Sequence, residues 1–458
     1  MKRIFGLDIL RGWVLLVLFL TGSFVNAYAP VAEGVPAMPG VRTHAQKNGN
    51  VVHYRVVGDE FLNYMIDAEG NLLTFGEDGD IYYGNWISES NLTSNSSPDG
   101  VSSVEKVPDF VLPADYKPAG IPANASPPSE SIMSPLRTPV PEFLLERAGR
   151  QMSERDAEWR ESHSIKPVRR NAPDFAPSNL TLKRDLLVIY VRFEDEDNIY
   201  ELEDKELSNS AIYGLVFNDA SFGSVAHYYK TVTGGGVKFI PAIETYDARD
   251  DGIIRVTLPG NHKYWERGDI GGDVVRPALN KADEYIDVSA YDTNKDGSLT
   301  TDELSIMLVV HGYESSVGIA NPSIWGHTGG LWADPAQLDG VSVTFYCAFG
   351  AFHSVAVPSL GIDPRPFSVG IVVHELGHLS FGFLDLYYLE NRTRGITGLW
   401  SVMGQGSWGA LYDEPLGSTP TGLDAYHLST LFYPTAIVDA DDLDDLQNFS
   451  LTNSSQFI

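Results

Sequence analysis

The chain of 458 residues contains a single cysteine, Cys347. One thiol cannot close an intrachain disulfide, so a fold built for an oxidising medium must be held by packing or by metal ions. Cys347 sits in the apolar run Val341-Ser342-Val343-Thr344-Phe345-Tyr346-Cys347-Ala348-Phe349, where a buried, inert thiol is expected and a nucleophile is not. Basic residues are also scarce: 32 Lys and Arg stand against 61 Asp and Glu, a formal charge of -29. That balance repels phosphates and argues against a nucleic-acid partner. It suits solubility outside a cell and carboxylates that hold calcium. Long hydrophobic runs are missing as well. The apolar stretch 13–20 falls short of the roughly 20 residues needed to span a bilayer, and no later stretch comes closer.

That short stretch has another reading. Lys2, Arg3 and Arg11 make a basic start, and Val25-Asn26-Ala27 places small residues at the −3 and −1 positions of a cleavage site after Ala27. Residues 1–27 are therefore expected to be a secretory signal peptide, which implies a secreted, extracellular protein with no membrane span once it is removed. The apolar fraction of 43%, with 22 Tyr, 21 Phe and 8 Trp, is enough to fold the rest into a globular core.

Composition divides the remainder. Residues 28–120 form a β-rich region, with alternating segments between about 51 and 86 punctuated by Asp67-Ala68-Glu69-Gly70-Asn71 and Glu77-Asp78-Gly79-Asp80, the pattern of a small meander. A linker over 121–180 follows, with a charged helix in the 142–162 stretch. Between 181 and 436 strand and helix signals alternate: a continuous apolar strand at 186–191, a helix at 224–232, a strand at 253–258, a helix at 272–286 and a buried strand at 304–310. This alternation predicts an α/β domain. Residues 437–458 read as an acidic and polar tail or the start of a further domain. Gly234-Gly235-Gly236 lacks the Lys-Ser/Thr of a phosphate loop and reads as a turn.

Two motifs carry chemistry. In His374-Glu375-Leu376-Gly377-His378 the two imidazoles lie four residues apart, on one face of a helix, and converge on one metal ion. Zinc lowers the pKa of a bound water, and Glu375 beside it is placed to act as general base. A catalytic zinc needs a third protein ligand. Gly382 can end the helix and turn the chain so that Asp385 returns to the metal, with Glu390 and Glu414 as alternative carboxylates. Met403, in the Gly-flanked turn Met403-Gly404-Gln405-Gly406, suits an apolar floor beneath such a metal. The second motif runs from Asp292 to Glu303. It has Asp292, Asn294 and Asp296 at positions 1, 3 and 5, then Gly297 for the sharp turn, the Ser298 carbonyl and a bidentate Glu303. This is the spacing of a twelve-residue calcium loop, and the strand-like segment after it predicts a structural Ca2+ site, not a two-helix switch.

Together the motifs resemble those of the immune inhibitor A family of secreted metallopeptidases, relatives of the metzincins. The resemblance rests on His374-Glu375-Leu376-Gly377-His378, Gly382-Phe383-Leu384-Asp385-Leu386-Tyr387 and Met403-Gly404-Gln405-Gly406-Ser407-Trp408. It extends to Leu187 through Phe193, Tyr228-Tyr229-Lys230, Ile324-Trp325-Gly326-His327 and the stretch from Gly58 to Tyr83. It implies an α/β (α+β) metzincin-like zinc peptidase domain with a mixed twisted sheet and an active-site helix, and a small N-terminal β-rich propeptide. It also implies a zinc endopeptidase made as a zymogen and acting on protein or peptide substrates. The propeptide-like region has no cysteine, so latency there requires a carboxylate or steric blockage. One departure stands out. Asp385 and Gly382 each lie one position further from His378 than in the family pattern, as a single inserted residue would cause. The alternatives are a catalytically inactive calcium-stabilised binding protein on the same scaffold, and a gluzincin-like peptidase using Glu414.

Overall fold

A computed structural model describes residues 36–86, 110–111, 119, 121–122, 136–147, 181–195, 205–317, 322–353, 364–387 and 397–431, apart from 60–61, 77–79, 248–249, 263–269, 333 and 412–413. The signal-peptide and tail regions, Glu390 and most of the predicted charged helix lie outside these residues. Within the helix prediction, residues 142–147 are helical.

Strands β1 (Arg42–Ala45), β2 (Asn50–Gly58), β3 (Asn63–Asp67), β4 (Leu72–Phe75) and β5 (Ile81–Tyr83) form an antiparallel meander in that order. Its β3–β4 turn works through Asp67, whose carboxylate accepts from the Glu69 and Asn71 amides while Gly70 takes the left-handed conformation at φ 82°. Two short strands, β6 (Asn85–Trp86) and β7 (Phe110–Val111), pair with each other, and β8 (Ile121–Pro122) adds to β2.

The second sheet is built on β9 (Leu182–Asp195), which contains the continuous apolar run. Along β9, β10 (Val237–Pro241) and then β11 (Ile253–Asn261) pair in parallel with successive stretches. Strand β12 (Ser305–Glu314) also runs parallel to β9 and to β17 (Phe345–Phe352), and β13 (Ser323–Ile324) extends β12. Strand β14 (His327–Gly330) closes the sheet antiparallel to β17, so the sheet is mixed. A hairpin of β15 (Ala336–Leu338) and β16 (Val341–Val343) lies between them in sequence.

Side chains alternate across this sheet with the period of two that pleating imposes. Val188, Tyr190, Met307, Val309, Cys347 and Phe349 face one core, while Leu187, Ile189, Ile306, Leu308 and Ala348 face the other. Helix α1 (Asn209–Val216), α2 (Val225–Val232) and the long helix α4 (Val369–Phe381) pack on the first face; α3 (Arg276–Ala282) packs on the second. Cys347 is fully buried in the first core, and burial pushes its thiol well above the usual range. The meander joins the same core through Val52, Tyr54, Val56, Met65 and Leu73.

One predicted element differs. The helix expected at 272–286 is a π turn over Gly271–Val275, then α3, then a 3-10 turn over Asp283–Tyr285. Pro277 has no N–H to return to the preceding turn, so the ladder widens before it and regular α geometry resumes after it.

Candidate metal centre

Helix α4 is buried on every side, from Val369 to Ser380. Such a helix needs small residues where neighbours cross closely. A Cβ on Gly370 would stand 1.8 Å from the Ser407 carbonyl oxygen, and one on Gly377 would stand 2.9 Å from Met403 Sδ. Gly377, inside the metal motif, therefore lets Met403 lie directly against the helix. Across the helix, Tyr229 donates its hydroxyl to the Val373 carbonyl at 2.6 Å.

The helix stops at Gly382, in the left-handed conformation at φ 64°, ψ 31°. The Gly382 amide donates to His378 O at 2.9 Å and the Phe383 amide to Gly377 O at 3.1 Å. These bonds satisfy carbonyls at the end of the helix and fold the chain back. Asp385 then returns beside the two histidines despite its shifted register. Its Oδ1 lies 3.1 Å from His374 Nε2 and 3.5 Å from His378 Nε2, and the two Nε2 atoms are 3.1 Å apart.

Those spacings decide what the group can hold. Ligands at 2.0–2.1 Å around a tetrahedral zinc ion stand about 3.3 Å from one another. The three distances bracket that value, and all three side chains are fully buried. Among the described residues, this is where three such ligand atoms gather within 4.8 Å. The far ring nitrogens are held too: His374 Nδ1 bonds Val402 O at 2.8 Å and His378 Nδ1 bonds Phe383 O at 2.6 Å. Carbonyl partners assign the ring proton to Nδ1 and leave both Nε2 lone pairs aimed at the metal position.

Electrostatics agree. Burial alone would lower both imidazoles, but the Asp385 charge and hydrogen bond raise His374 to about 9. In His378 burial prevails and the value falls to about 4. Burial tends to raise Asp385, yet the two histidines hold it below the usual carboxylate range. Without metal, the cluster thus keeps one proton near neutrality, where a divalent cation would sit.

Glu375, next to His374 on α4, is fully buried. Its Oε2 and its backbone carbonyl each lie 2.9 Å from the Thr328 hydroxyl on edge strand β14. Glu414 is elsewhere engaged: it accepts from the Thr419 hydroxyl at 2.5 Å and the Leu411 amide at 3.1 Å. Met403 is fully buried.

The Asp292–Glu303 loop has the turn geometry its sequence implies, with Gly297 at φ 78°. Its polar groups bond one another. Asp292 accepts from the Asp296 and Gly297 amides, Asn294 from the Asp296 amide, and Asp296 from the Ser298 amide. Glu303 accepts from Thr293, Asn294 and Thr300. The loop joins the β15–β16 hairpin through a bridge from Ser298 to Ser342.

Sequence reasoning missed Thr328, Ser401, Asp424 and His427. Thr328 lies in no recognisable motif. Asp424-Ala425-Tyr426-His427 had a usable signal, an acidic helix cap three residues before a histidine.

Comparison with known proteins bears on the same region. No curated protein matches the chain. Residues 271–429 match the family described as immune inhibitor A peptidase M6, catalytic domain, a span that includes His374, Glu375, His378, Asp385 and Met403. The chain is a metallopeptidase, a hydrolase of peptide bonds, and over residues 271–429 it is similar to the catalytic domain of the immune inhibitor A family.

Proposed function

We propose that the chain is a secreted zinc endopeptidase, made as a zymogen, in which His374, His378 and Asp385 hold the metal and Glu375 is the general base. The observation that carries this reading is the convergence of two Nε2 atoms and a carboxylate oxygen at zinc-ligand spacing in a site with no exposed ligand surface. Zinc, when bound, supplies a Lewis acid that acidifies water and polarises the peptide carbonyl. Glu375 takes the proton of the attacking water and returns it to the leaving amine. Thr328 restrains the Glu375 carboxylate, and the edge position of β14 offers backbone groups to an extended substrate. The mixed sheet, its antiparallel edge and the buried motif helix support a metzincin-like domain.

Contacts of the N-terminal segment support the zymogen reading. The Met38 amide donates to Ser316 O at 2.9 Å, Arg42 donates to Val317 O, and Trp408, in the turn after Met403, donates to Pro36 O at 2.8 Å. A region that shares the catalytic core can restrain the site by steric blockage. Calcium at the Asp292 loop would replace its internal hydrogen bonds with oxygen ligation and stiffen the approach to β12.

The direct test compares casein cleavage and zinc content in the wild type and Glu375→Ala. The proposal expects about one zinc per chain in both, with cleavage lowered at least about 100-fold in the variant, the scale of general-base catalysis. Undiminished cleavage by Glu375→Ala would overturn it. Limited proteolysis that removes the region before β9 is expected to raise kcat/KM, and unchanged activity after removal would sink the zymogen reading.

A further inference from the structure

The metal ligands rest on a second network that begins at helix α5 (Ala425–Leu431). Asp424 caps this helix: its Oδ1 accepts from the Tyr426 amide at 3.0 Å and the His427 amide at 3.1 Å. Its Oδ2 turns inward and accepts from His427 Nδ1 at 2.6 Å and from the Ser401 hydroxyl at 2.7 Å. Burial would raise the Asp424 carboxyl, but these bonds hold it far below the usual range, so it is an anion.

An anion at Nδ1 settles the His427 tautomer. The proton sits on Nδ1, leaving a lone pair on Nε2. That lone pair meets the Leu384 amide at 3.1 Å, in the irregular stretch between Gly382 and Asp385. The same ring packs on Phe383 with centroids 4.7 Å apart. Ser401 extends the network in the other direction, since its Oγ accepts from the Met403 amide at 3.1 Å.

Each ligand therefore has a neighbour in this network. Asp385 follows Leu384, whose amide His427 holds. His378 is oriented by the carbonyl of Phe383, which the His427 ring braces. His374 is oriented by the carbonyl of Val402, which lies between Ser401 and Met403. Ser, Asp and His are the residue types of a nucleophilic triad, but the Ser401 hydroxyl bonds Asp424 and is fully buried. Among the described residues, no histidine is placed to take its proton.

We infer that His427 is a positioning residue for the third metal ligand: with Asp424 and Ser401 it ties the loop carrying Asp385 to the turn carrying Met403. The inference rests on the reading of Asp385 as a ligand. It also explains how the extra residue after His378 is tolerated. A loop longer than the family pattern has no regular structure of its own to fix it, and His427 supplies a fixed acceptor for its backbone.

The test uses the full zinc-loaded chain and follows zinc transfer to a chromophoric chelator, with KM, kcat and the melting temperature of the metal-free protein measured alongside. His427→Phe keeps a ring against Phe383 but has no acceptor for Leu384. It is expected to release zinc about 10–100-fold faster, the range for loss of an outer-shell partner. His427→Gln retains an acceptor and is expected to recover most of that loss. Asp424→Asn, which keeps the helix cap, is expected to invert the His427 tautomer and speed release as well; it decides the matter if His427→Phe does not fold. In an Asp385→Ala background, adding His427→Phe should change nothing further. Wild-type release by both His427→Phe and Asp424→Asn would overturn the inference, as would an equal acceleration with Asp385 already absent. If Asp385→Ala itself releases zinc like the wild type, the ligand reading fails instead.

Discussion

Gly382 offers the sharpest test of how Asp385, the proposed third ligand, reaches the two histidines. It ends α4 at φ 64°, ψ 31°, and its amide bonds His378 O. An alanine there must hold a left-handed conformation, which costs an L-residue about 1–2 kcal/mol. Loss of glycine's freedom in the unfolded chain returns about 0.4–1 kcal/mol. The expected net loss for Gly382→Ala is about 1 kcal/mol, or roughly 2–4 °C in melting temperature for a domain of this size. Stability is only half of the expectation. If the alanine escapes the strain by leaving this conformation, the chain no longer folds back and Asp385 withdraws from His374. Zinc transfer to a chelator should then quicken by more than the stability change alone explains. Gly382→Asn should fall between, because asparagine tolerates the left-handed region best among the other residues. Thermal melting of the metal-free protein and zinc release of the loaded protein measure the two effects separately. Alanine and asparagine variants as stable as the wild type, with unchanged release, would refute the reasoning.

Other predictions concern the base, the proton held by the ligands and a buried acid. Thr328→Val removes the hydroxyl beside Glu375 at nearly constant shape; kcat should fall about tenfold with little change in KM, as loss of one hydrogen bond to a charged group implies, while Thr328→Ser should stay near the wild type. With His374 at about 9 and His378 at about 4, the metal-free cluster carries one proton between pH 5 and 7. Zinc must expel it, so the zinc dissociation constant should rise about tenfold for each unit fall in pH; a slope near zero or two in a competition titration contradicts this. Glu314 is buried at the end of β12, and burial pushes it up to about 7 although the amides of Ser316, Gly326 and Gly350 and the Ser316 hydroxyl oppose the shift. A raised folded-state value means stabilisation that is complete below the unfolded value near 4.5 and lost as pH rises through about 7, some 3 kcal/mol in order of magnitude. The difference in unfolding free energy between the wild type and Glu314→Gln should therefore drift with pH between 5 and 8, and a constant difference would count against it.

Much of the scaffold is legible in the sequence because it depends on local periodicity. The apolar run at 186–191 reads as a central strand buried on both faces, and it forms the centre of β9. The Asp67 turn follows from the bonding habits of Asp, Asn and Gly in adjacent positions. The motif helix follows from its spacing. What escapes depends on distant parts of the chain. Asp385 follows the helix in a stretch without regular structure, where Gly382 is left-handed and the Leu384 amide bonds His427. The partner of Glu375 comes from an edge strand whose sequence, His327-Thr328-Gly329-Gly330, has no distinguishing pattern. Alternation in the meander shows which face of each strand is buried, not that this face meets the catalytic core. The helix expected at 272–286 takes no account of Pro277, and whether a helix bends, breaks or widens at proline depends on what packs beside it.

The central claim concerns the atoms around the ion, and crystallography of the zinc-loaded chain with anomalous scattering at the zinc edge tests it most directly. The account predicts one strong peak bound by Nε2 of His374, Nε2 of His378 and a carboxylate oxygen of Asp385, with Glu375 beside the remaining position. A shell completed by Glu414 or Glu390, or an ion bound away from His374, would contradict it.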